Sequence, residues 1–262
     1  GNMTIGNLGG GTLFVSGATA NVSVANTVVA LGSTGTLSVT GGAKYYSNTA
    51  VVFGQYNSGA PNSAATVTVS GTDTAFTVNG AITVGRSAYD NLLDNKSYLY
   101  VGDGAQITAA AALYIGAQTG NTGTGSTFVA GPGGYGVMTM SSATYTMTGS
   151  GASLNVGGSA TGELYMTDST IYLGDNQSSH IGTVNRADDS LSYMIHSCGD
   201  GNGYVSMTNS QILGVTTTAG NFNSRLYIGH VGEGTLVLND STVSNMTIFQ
   251  IGDLMTPIMS ID

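Results

Sequence analysis

The sequence predicts an all-β protein that folds as a right-handed parallel β-helix (β-solenoid), with three short strands per rung and about nine rungs. The composition favours strands and tight turns, with 41 glycines and only 7% charged residues in a chain of 262. One short motif recurs along the chain, and the shortest repeat, from Leu13 to Leu37, is 24 residues. A repeat of this length cannot bury its inner face alone, so neighbouring rungs must stack.

The first strand of each repeat is marked by an apolar residue, any residue, a second apolar residue and then glycine. Glycine adopts positive φ at little cost, so we expect it to turn a corner of the coil. The copy that precedes Gly182 is degraded. The nine copies end at Gly6, Gly32, Gly54, Gly85, Gly116, Gly157, Gly182, Gly229 and Gly252.

The second and third strands are marked by pairs of apolar residues two positions apart, which predicts one buried and one exposed face. The third pair is clear at Phe76/Val78, for example, and weaker near Tyr46, Ile107, Ile212 and Val243. We expect all these stripes to form the core. The second-strand pairs begin at Leu13, Leu37, Val67, Leu99, Met138, Leu164, Val205 and Leu236.

Charge and cysteine content exclude several classes of function. The chain has 14 acidic and 5 basic residues, a net charge of −9, so it lacks the cations that neutralise nucleic-acid phosphates. The longest apolar run, residues 109–115, is too short to span a membrane. The three histidines and Cys198 lie on separate repeats, and residues 200–203 lack the further ligands of a calcium loop. We therefore expect no nucleic-acid partner, no transmembrane segment in this fragment, no cofactor and no metal.

Variation in repeat length is concentrated at one corner of the coil. We expect one solenoid domain over residues 1–262, part of a longer repeat protein, with loop insertions at 55–64, 86–95, 117–135 and 183–202. Insertions confined to one edge usually mark the working side of a solenoid. Loops 117–135 and 183–202 would form the walls of a notch roughly 10 Å wide. Residues 158–161, Glu163 and Tyr165 would form its floor, which suits one extended glycan or peptide chain.

The candidate ligand-binding residues lie in or beside this notch. Exposed aromatic rings stack on sugars, although outward tyrosines (Tyr100, Tyr114, Tyr165, Tyr172 and Tyr227) are also good strand formers and cross-rung partners. The binding candidates are Tyr135, Tyr165, Arg186, Tyr193 and His196.

Paired carboxylates raise the alternative of a polysaccharide-active enzyme, a hydrolase or a lyase. Asp188, Asp189 and Glu163 would then be the catalytic acids and bases. Asp188 and Asp189 with His196 faintly resemble the site of pectin-degrading hydrolases, but the Asn-Thr-Asp strand and the Arg-Ile-Lys segment of that family are missing. We therefore expect that the protein is not an enzyme.

Residues 11–19 (GTLFVSGAT) and 35–43 (GTLSVTGGA) resemble the β-strand repeats of autotransporter passenger domains, the pertactin-like proteins of type V secretion. Residues 162–166 and 234–238 are similar to the same unit, so the resemblance covers nearly the whole chain. It implies an extracellular location at the surface of a diderm bacterium.

From these features we expect a non-catalytic extracellular stalk or adhesin segment that displays loops for surface or glycan contact. Its partner would be a cell surface or a polysaccharide, or the protein itself through end-to-end or lateral association. A segment of a phage or polymeric fibre remains the other alternative.

Overall fold

A computed structural model describes residues 1–55, 63–87, 96–118, 134–158, 160–175, 178–183, 201–214, 224–229, 232–252 and 258–261. The secondary structure in these ranges is entirely β, in three parallel sheets of nine, nine and eight strands. Each strand pairs with the strand three places further along the chain, so one turn of the coil contains three strands. The predicted fold class is therefore confirmed as a right-handed parallel β-helix.

Each rung contributes its first strand to sheet A and its second to sheet B, and over the described residues rungs 1 to 8 contribute a third strand to sheet C. Rungs 1 to 3 are β1 (Asn2–Ile5), β2 (Gly11–Ser16), β3 (Asn21–Val24), β4 (Asn26–Leu31), β5 (Thr34–Thr40), β6 (Lys44–Ser47), β7 (Val51–Gln55), β8 (Ala64–Ser70) and β9 (Ala75–Val78). Rungs 4 to 6 are β10 (Ile82–Ser87), β11 (Lys96–Gly102), β12 (Gln106–Ala109), β13 (Leu113–Gln118), β14 (Tyr135–Ser141), β15 (Thr144–Met147), β16 (Leu154–Gly158), β17 (Thr161–Thr167) and β18 (Thr170–Tyr172). Rungs 7 to 9 are β19 (Ser178–Thr183), β20 (Asn202–Thr208), β21 (Gln211–Leu213), β22 (Ser224–Ile228), β23 (Glu233–Asn239), β24 (Thr242–Ser244), β25 (Met246–Ile251) and β26 (Ile258–Ile261).

The core is built from in-register columns of apolar side chains inside the coil. In sheet B, Leu37 pairs with Val67, Val67 with Leu99 and Leu99 with Met138, and all four are buried. Burying one such side chain stabilises the fold by about 1.5–3 kcal/mol. The apolar pairs predicted for the second strand therefore form the core.

Glycines turn the corner between sheets A and B. Eight of the nine motif glycines stand in one register column with φ between 66° and 74°, and Gly182 of the degraded copy is among them. The sequence places the second copy two residues too late, because Val29 pairs with Ile5 and Phe53. Ala30, with φ of 64°, therefore turns this corner, and Gly32 follows it. A Cβ on Gly116 would lie 2.0 Å from the Thr161 carbonyl oxygen. A second glycine column on sheet B faces the first: a Cβ on Gly162 would lie 2.1 Å from the Ile115 carbonyl oxygen. The two columns let the chain turn sharply, and small residues replace glycine at Ala30, Ala65 and Ser97.

The long insertions leave the coil at this same corner. For example, β13 ends at Gln118 and β14 begins at Tyr135, and β19 ends at Thr183 and β20 begins at Asn202. The interiors of all four insertions (residues 56–62, 88–95, 119–133 and 184–200) lie outside the described residues.

On rungs 6 and 7, a ladder of serines closes the corner between sheets B and C, which holds positive-φ glycines on rungs 1 to 4. The Ser169 hydroxyl accepts the Ala143 N–H at 3.2 Å and donates to the Thr167 carbonyl at 2.7 Å. On the next rung, the Ser210 hydroxyl accepts the Ser169 N–H at 3.1 Å and donates to the Thr208 carbonyl at 2.7 Å. These bonds satisfy backbone groups that strand pairing leaves open.

On rung 2 of sheet C, the sequence predicts that the inward apolar pair lies near Tyr46, and the structure corrects its position by one residue. Tyr45 points into the core and is 1% exposed, whereas Tyr46 is 36% exposed. The Tyr45 ring stacks on Phe76, its partner on the next rung, with centroids 4.7 Å apart. Two adjacent tyrosines leave the alternation ambiguous in sequence, and packing against Phe76 resolves it.

Candidate functional site

The outer surface of sheet B carries an aromatic cluster on rungs 4 to 7. Side chains alternate along a strand, so every second residue of each paired strand points away from the core. Register then aligns outward residues of successive rungs: Tyr100 pairs with Thr139, and Thr139 with Tyr165. We call this surface the tyrosine face: Lys96, Tyr98, Tyr100, Tyr135, Glu163, Tyr165 and Tyr204.

Glu163 joins two of the predicted ligand-binding residues. Its Oε2 accepts a hydrogen bond from the Tyr165 hydroxyl at 2.9 Å, and its Oε1 accepts one from the Tyr135 hydroxyl. Tyr135 lies on the preceding rung, where the residue directly opposite Glu163 is Val137. Tyr135 therefore reaches Glu163 diagonally, and the three residues form one bonded group across two rungs.

Lys96 extends this group by one rung. Its Nζ lies 4.0 Å from the centroid of the Tyr135 ring, a cation–π contact. A hydrogen bond with Tyr135 is the main reason that the pKa of Lys96 is raised. Lys96 was missed from sequence because it directly follows an insertion, although its alternation with Tyr98 and Tyr100 was a usable signal.

The two tyrosine hydroxyls remain hydrogen-bond donors at neutral pH. Loss of solvent around the phenol raises the pKa of Tyr165 to about 12, and the Glu163 carboxylate adds to the rise. Desolvation also raises the pKa of Tyr135. Glu163 adds to this rise in the pKa of Tyr135, and Lys96 opposes it. Each carboxylate oxygen of Glu163 is thus held by a protonated phenol and retains a lone pair for a further donor.

The rings themselves are presented to solvent. Tyr100 is 41% exposed and Tyr165 is 38% exposed. Tyr98 stacks beside Tyr100 with ring centroids 5.9 Å apart, and Tyr204 lies beside Tyr165 at 5.7 Å. Neighbouring rings fix the orientation of the two exposed ones, which provides flat apolar surfaces at defined positions.

A shallow depression of about 210 Å³ adjoins Tyr100. Its floor is Gly102, which pairs with Ser70 on one side and Ser141 on the other. The Ser70 hydroxyl donates to Asp103 Oδ2 at 2.6 Å. The depression therefore combines one aromatic ring with hydroxyl groups and a carboxylate.

The structure also places the ends of the two loops predicted to form a notch. Ala117, Gly158 and Thr183 are register partners on sheet A. On sheet B, Tyr135, Thr161 and Asn202 are register partners on three consecutive rungs. Both loops thus start and end on the rungs that flank the short link at 158–161.

The remaining predicted site residues lie outside the described residues: Arg186, Asp188, Asp189, Tyr193 and His196. The outward tyrosines of the other sheets do not join the tyrosine face. Tyr114 and Tyr227 lie on sheet A, and Tyr172 lies on sheet C.

Over the described part of the chain, no group of three or more His, Cys, Asp or Glu side chains is arranged to hold a metal ion. In these ranges no helix has the length and apolar character needed to cross a membrane.

Comparison of the chain with protein-family models, curated proteins and solved structures found no match. The resemblance to autotransporter passenger repeats stays a prediction. One fold supports many functions, so the function of this chain is argued from its site.

Proposed function

We propose that the protein is a non-catalytic extracellular β-helical stalk or adhesin segment that binds glycans at the tyrosine face. The observation that carries this is the group formed by Tyr135, Glu163 and Tyr165 beside the exposed Tyr100 ring. Aromatic rings pack on the apolar faces of sugars, and a few fixed polar groups orient the sugar hydroxyls. Location outside the cell rests on the resemblance to autotransporter repeats.

A binding role fits the chemistry of Glu163 better than catalysis. Glycoside hydrolysis uses two carboxyl groups, about 5–5.5 Å apart in retaining enzymes and about 6.5–9.5 Å apart in inverting ones. Glu163 is the one acidic residue in β14, β17 and β20, and its direct partners on the neighbouring rungs are Val137 and Tyr204. Both of its oxygens already accept hydrogen bonds from tyrosines. We therefore assign Glu163 to the orientation of Tyr135 and Tyr165.

The first experiment compares two outward tyrosines of similar exposure. Tyr165 on sheet B is 38% exposed and Tyr172 on sheet C is 42% exposed. A glycan array identifies a ligand, and calorimetry then measures its affinity for each variant. We expect Tyr165→Ala to weaken binding about fivefold or more, because stacking on a fixed ring is worth about 1 kcal/mol or more. Tyr172→Ala should leave the affinity unchanged.

Two results would contradict the proposal. Equal weakening by Tyr165→Ala and Tyr172→Ala would show that the tyrosine face is not the site. Release of reducing sugar ends that is abolished by Glu163→Gln would instead assign Glu163 to catalysis in a polysaccharide-active enzyme.

A further inference from the structure

We propose that the depression beside Tyr100 is a subsite for one ring of a neutral hexose polymer, and that the polymer lies along the helix axis over Tyr100 and Tyr165. This inference rests on the proposed glycan-binding function and adds the position, the direction and the chemical class of the ligand.

The direction follows from the register of sheet B. Tyr100, Thr139 and Tyr165 form one column on three consecutive rungs. Hydrogen-bonded strands lie about 4.8 Å apart, so the two exposed rings are about 10 Å apart along the axis. One sugar ring advances an extended hexose polymer by a distance comparable to the rung spacing. Alternate sugars can therefore stack on Tyr100 and Tyr165, while the sugar between them passes over the smaller Thr139.

The subsite exists because one glycine interrupts a column of hydroxyl-bearing residues. Gly102 stands in register with Ser70 and Ser141, and the column continues on other rungs as Ser16, Thr40, Thr167 and Thr208. The backbone does not require glycine here, because φ of Gly102 is not positive and an added Cβ would meet its nearest atom, the Ser141 carbonyl oxygen, at 3.6 Å. The missing side chain leaves open space next to an aromatic ring.

The size and lining of this space fit one sugar ring. Its volume of about 210 Å³ is below the roughly 300–1,000 Å³ of pockets for larger ligands. Tyr100 supplies an apolar wall, and Ser70, Thr139 and Ser141 supply hydroxyls. The hydrogen bond from Ser70 holds the Asp103 carboxylate in place as an acceptor for sugar hydroxyls. The site therefore offers both an apolar face and fixed polar groups to a pyranose.

The charges favour a neutral polymer over an acidic one. Asp103 borders the depression and Glu163 holds Tyr165, so each stacking position lies beside a carboxylate. Lys96 is the one basic residue in β8, β11, β14 and β17, and the net charge of the chain is −9. A uronate polymer would be repelled along the track, whereas a neutral hexose polymer would not.

The experiment fills the depression without removing an aromatic ring. Gly102→Val places a strand-forming side chain in the open space, and Thr40→Val is the matched control in the same column two rungs away. Calorimetry measures the affinity for neutral hexaoses of β-linked glucose and of β-linked mannose, and for hexagalacturonate. We expect the wild type to prefer a neutral hexaose over hexagalacturonate. Gly102→Val should weaken binding of that hexaose tenfold or more, and Thr40→Val should change it less than twofold.

The outcomes separate this inference from the proposed function. If Gly102→Val binds the neutral hexaose like the wild type while Tyr165→Ala weakens it, the tyrosine face binds glycans but the subsite is wrong. If the wild type binds hexagalacturonate more tightly than the neutral hexaoses, the proposal that the ligand is a neutral polymer is wrong. If the wild type binds none of the hexaoses and no glycan on an array, the proposed function itself fails. Should Gly102→Val lose the β-sheet circular dichroism of the wild type, the smaller Gly102→Ala replaces it, with an expected weakening of at least threefold.

Discussion

At the scale of single residues, Tyr45 and Tyr145 occupy the same inward column of sheet C, three rungs apart, in different surroundings. The Tyr45 hydroxyl lies 2.7 Å from the Thr27 hydroxyl and also contacts Met3 Sδ at 3.4 Å. The Tyr145 hydroxyl has no hydrogen-bond partner among the described residues, and burial raises the pKa of its phenol. A buried polar group without a partner costs free energy that a paired one recovers.

We therefore predict different effects of the same substitution at the two positions. Tyr45→Phe should lower the free energy of unfolding by about 1–3 kcal/mol, because the buried Thr27 hydroxyl loses its partner. Tyr145→Phe should leave stability unchanged or raise it, because it removes an unpaired hydroxyl. Urea unfolding followed by circular dichroism measures both variants, and equal losses would contradict the assignment of the two hydroxyls.

At the scale of elements, the serine ladder shows how the corner between sheets B and C stays tight on rungs 6 and 7, where it holds no glycine. The residues before the serines, such as Asp168 and Asn209, have φ of 50° and 48°, a conformation that Asp and Asn tolerate. The serine hydroxyls then pair backbone groups of one rung with those of the next. The ladder therefore contributes to the spacing of rungs 5 to 7 at the end of sheet B that is opposite the glycine corner.

Ser169→Ala tests the ladder. It leaves the Ala143 N–H without its acceptor, so we predict a loss of about 1–3 kcal/mol in the free energy of unfolding. Ser206→Ala, on the outer face of β20, is the control and should change stability by less than about 0.5 kcal/mol. Equal effects of the two substitutions in urea unfolding would contradict a stabilising role for the ladder.

The same elements show what the sequence could predict. The apolar columns of sheets A and B repeat with a glycine at a constant position on eight of nine rungs, so the coil and its corner follow from spacing. On rung 2 the corner residue is Ala30, and the later Gly32 misled the placement of the motif. The register of β14 against β17 follows from the predicted pairs that begin at Met138 and Leu164, but the contact between Tyr135 and Glu163 runs diagonally across that register and depends on side-chain conformation. Gly102 was missed because a glycine before a turn suggests a backbone role. Only its φ and the open space around an added Cβ show that the backbone does not require glycine there.

At the scale of the whole molecule, nine rungs stacked at about 4.8 Å give a rod about 40 Å long. Strand pairing satisfies backbone groups between rungs, and much of the outer surface carries Ser, Thr and Asn rather than charges. The tyrosine face occupies rungs 4 to 7 of sheet B, in the middle of this rod. A rod with an aromatic track parallel to its axis suits a stalk that lies along a polysaccharide chain.

The most direct test of glycan binding at the tyrosine face is a crystal structure of the protein with a neutral hexaose bound at saturating concentration. We predict sugar density over Tyr100 and Tyr165, with the chain parallel to the helix axis and one ring in the depression above Gly102. Sugar density on sheet A or sheet C instead would contradict glycan binding at the tyrosine face. So would a tyrosine face without sugar density under conditions where calorimetry shows that the protein is saturated.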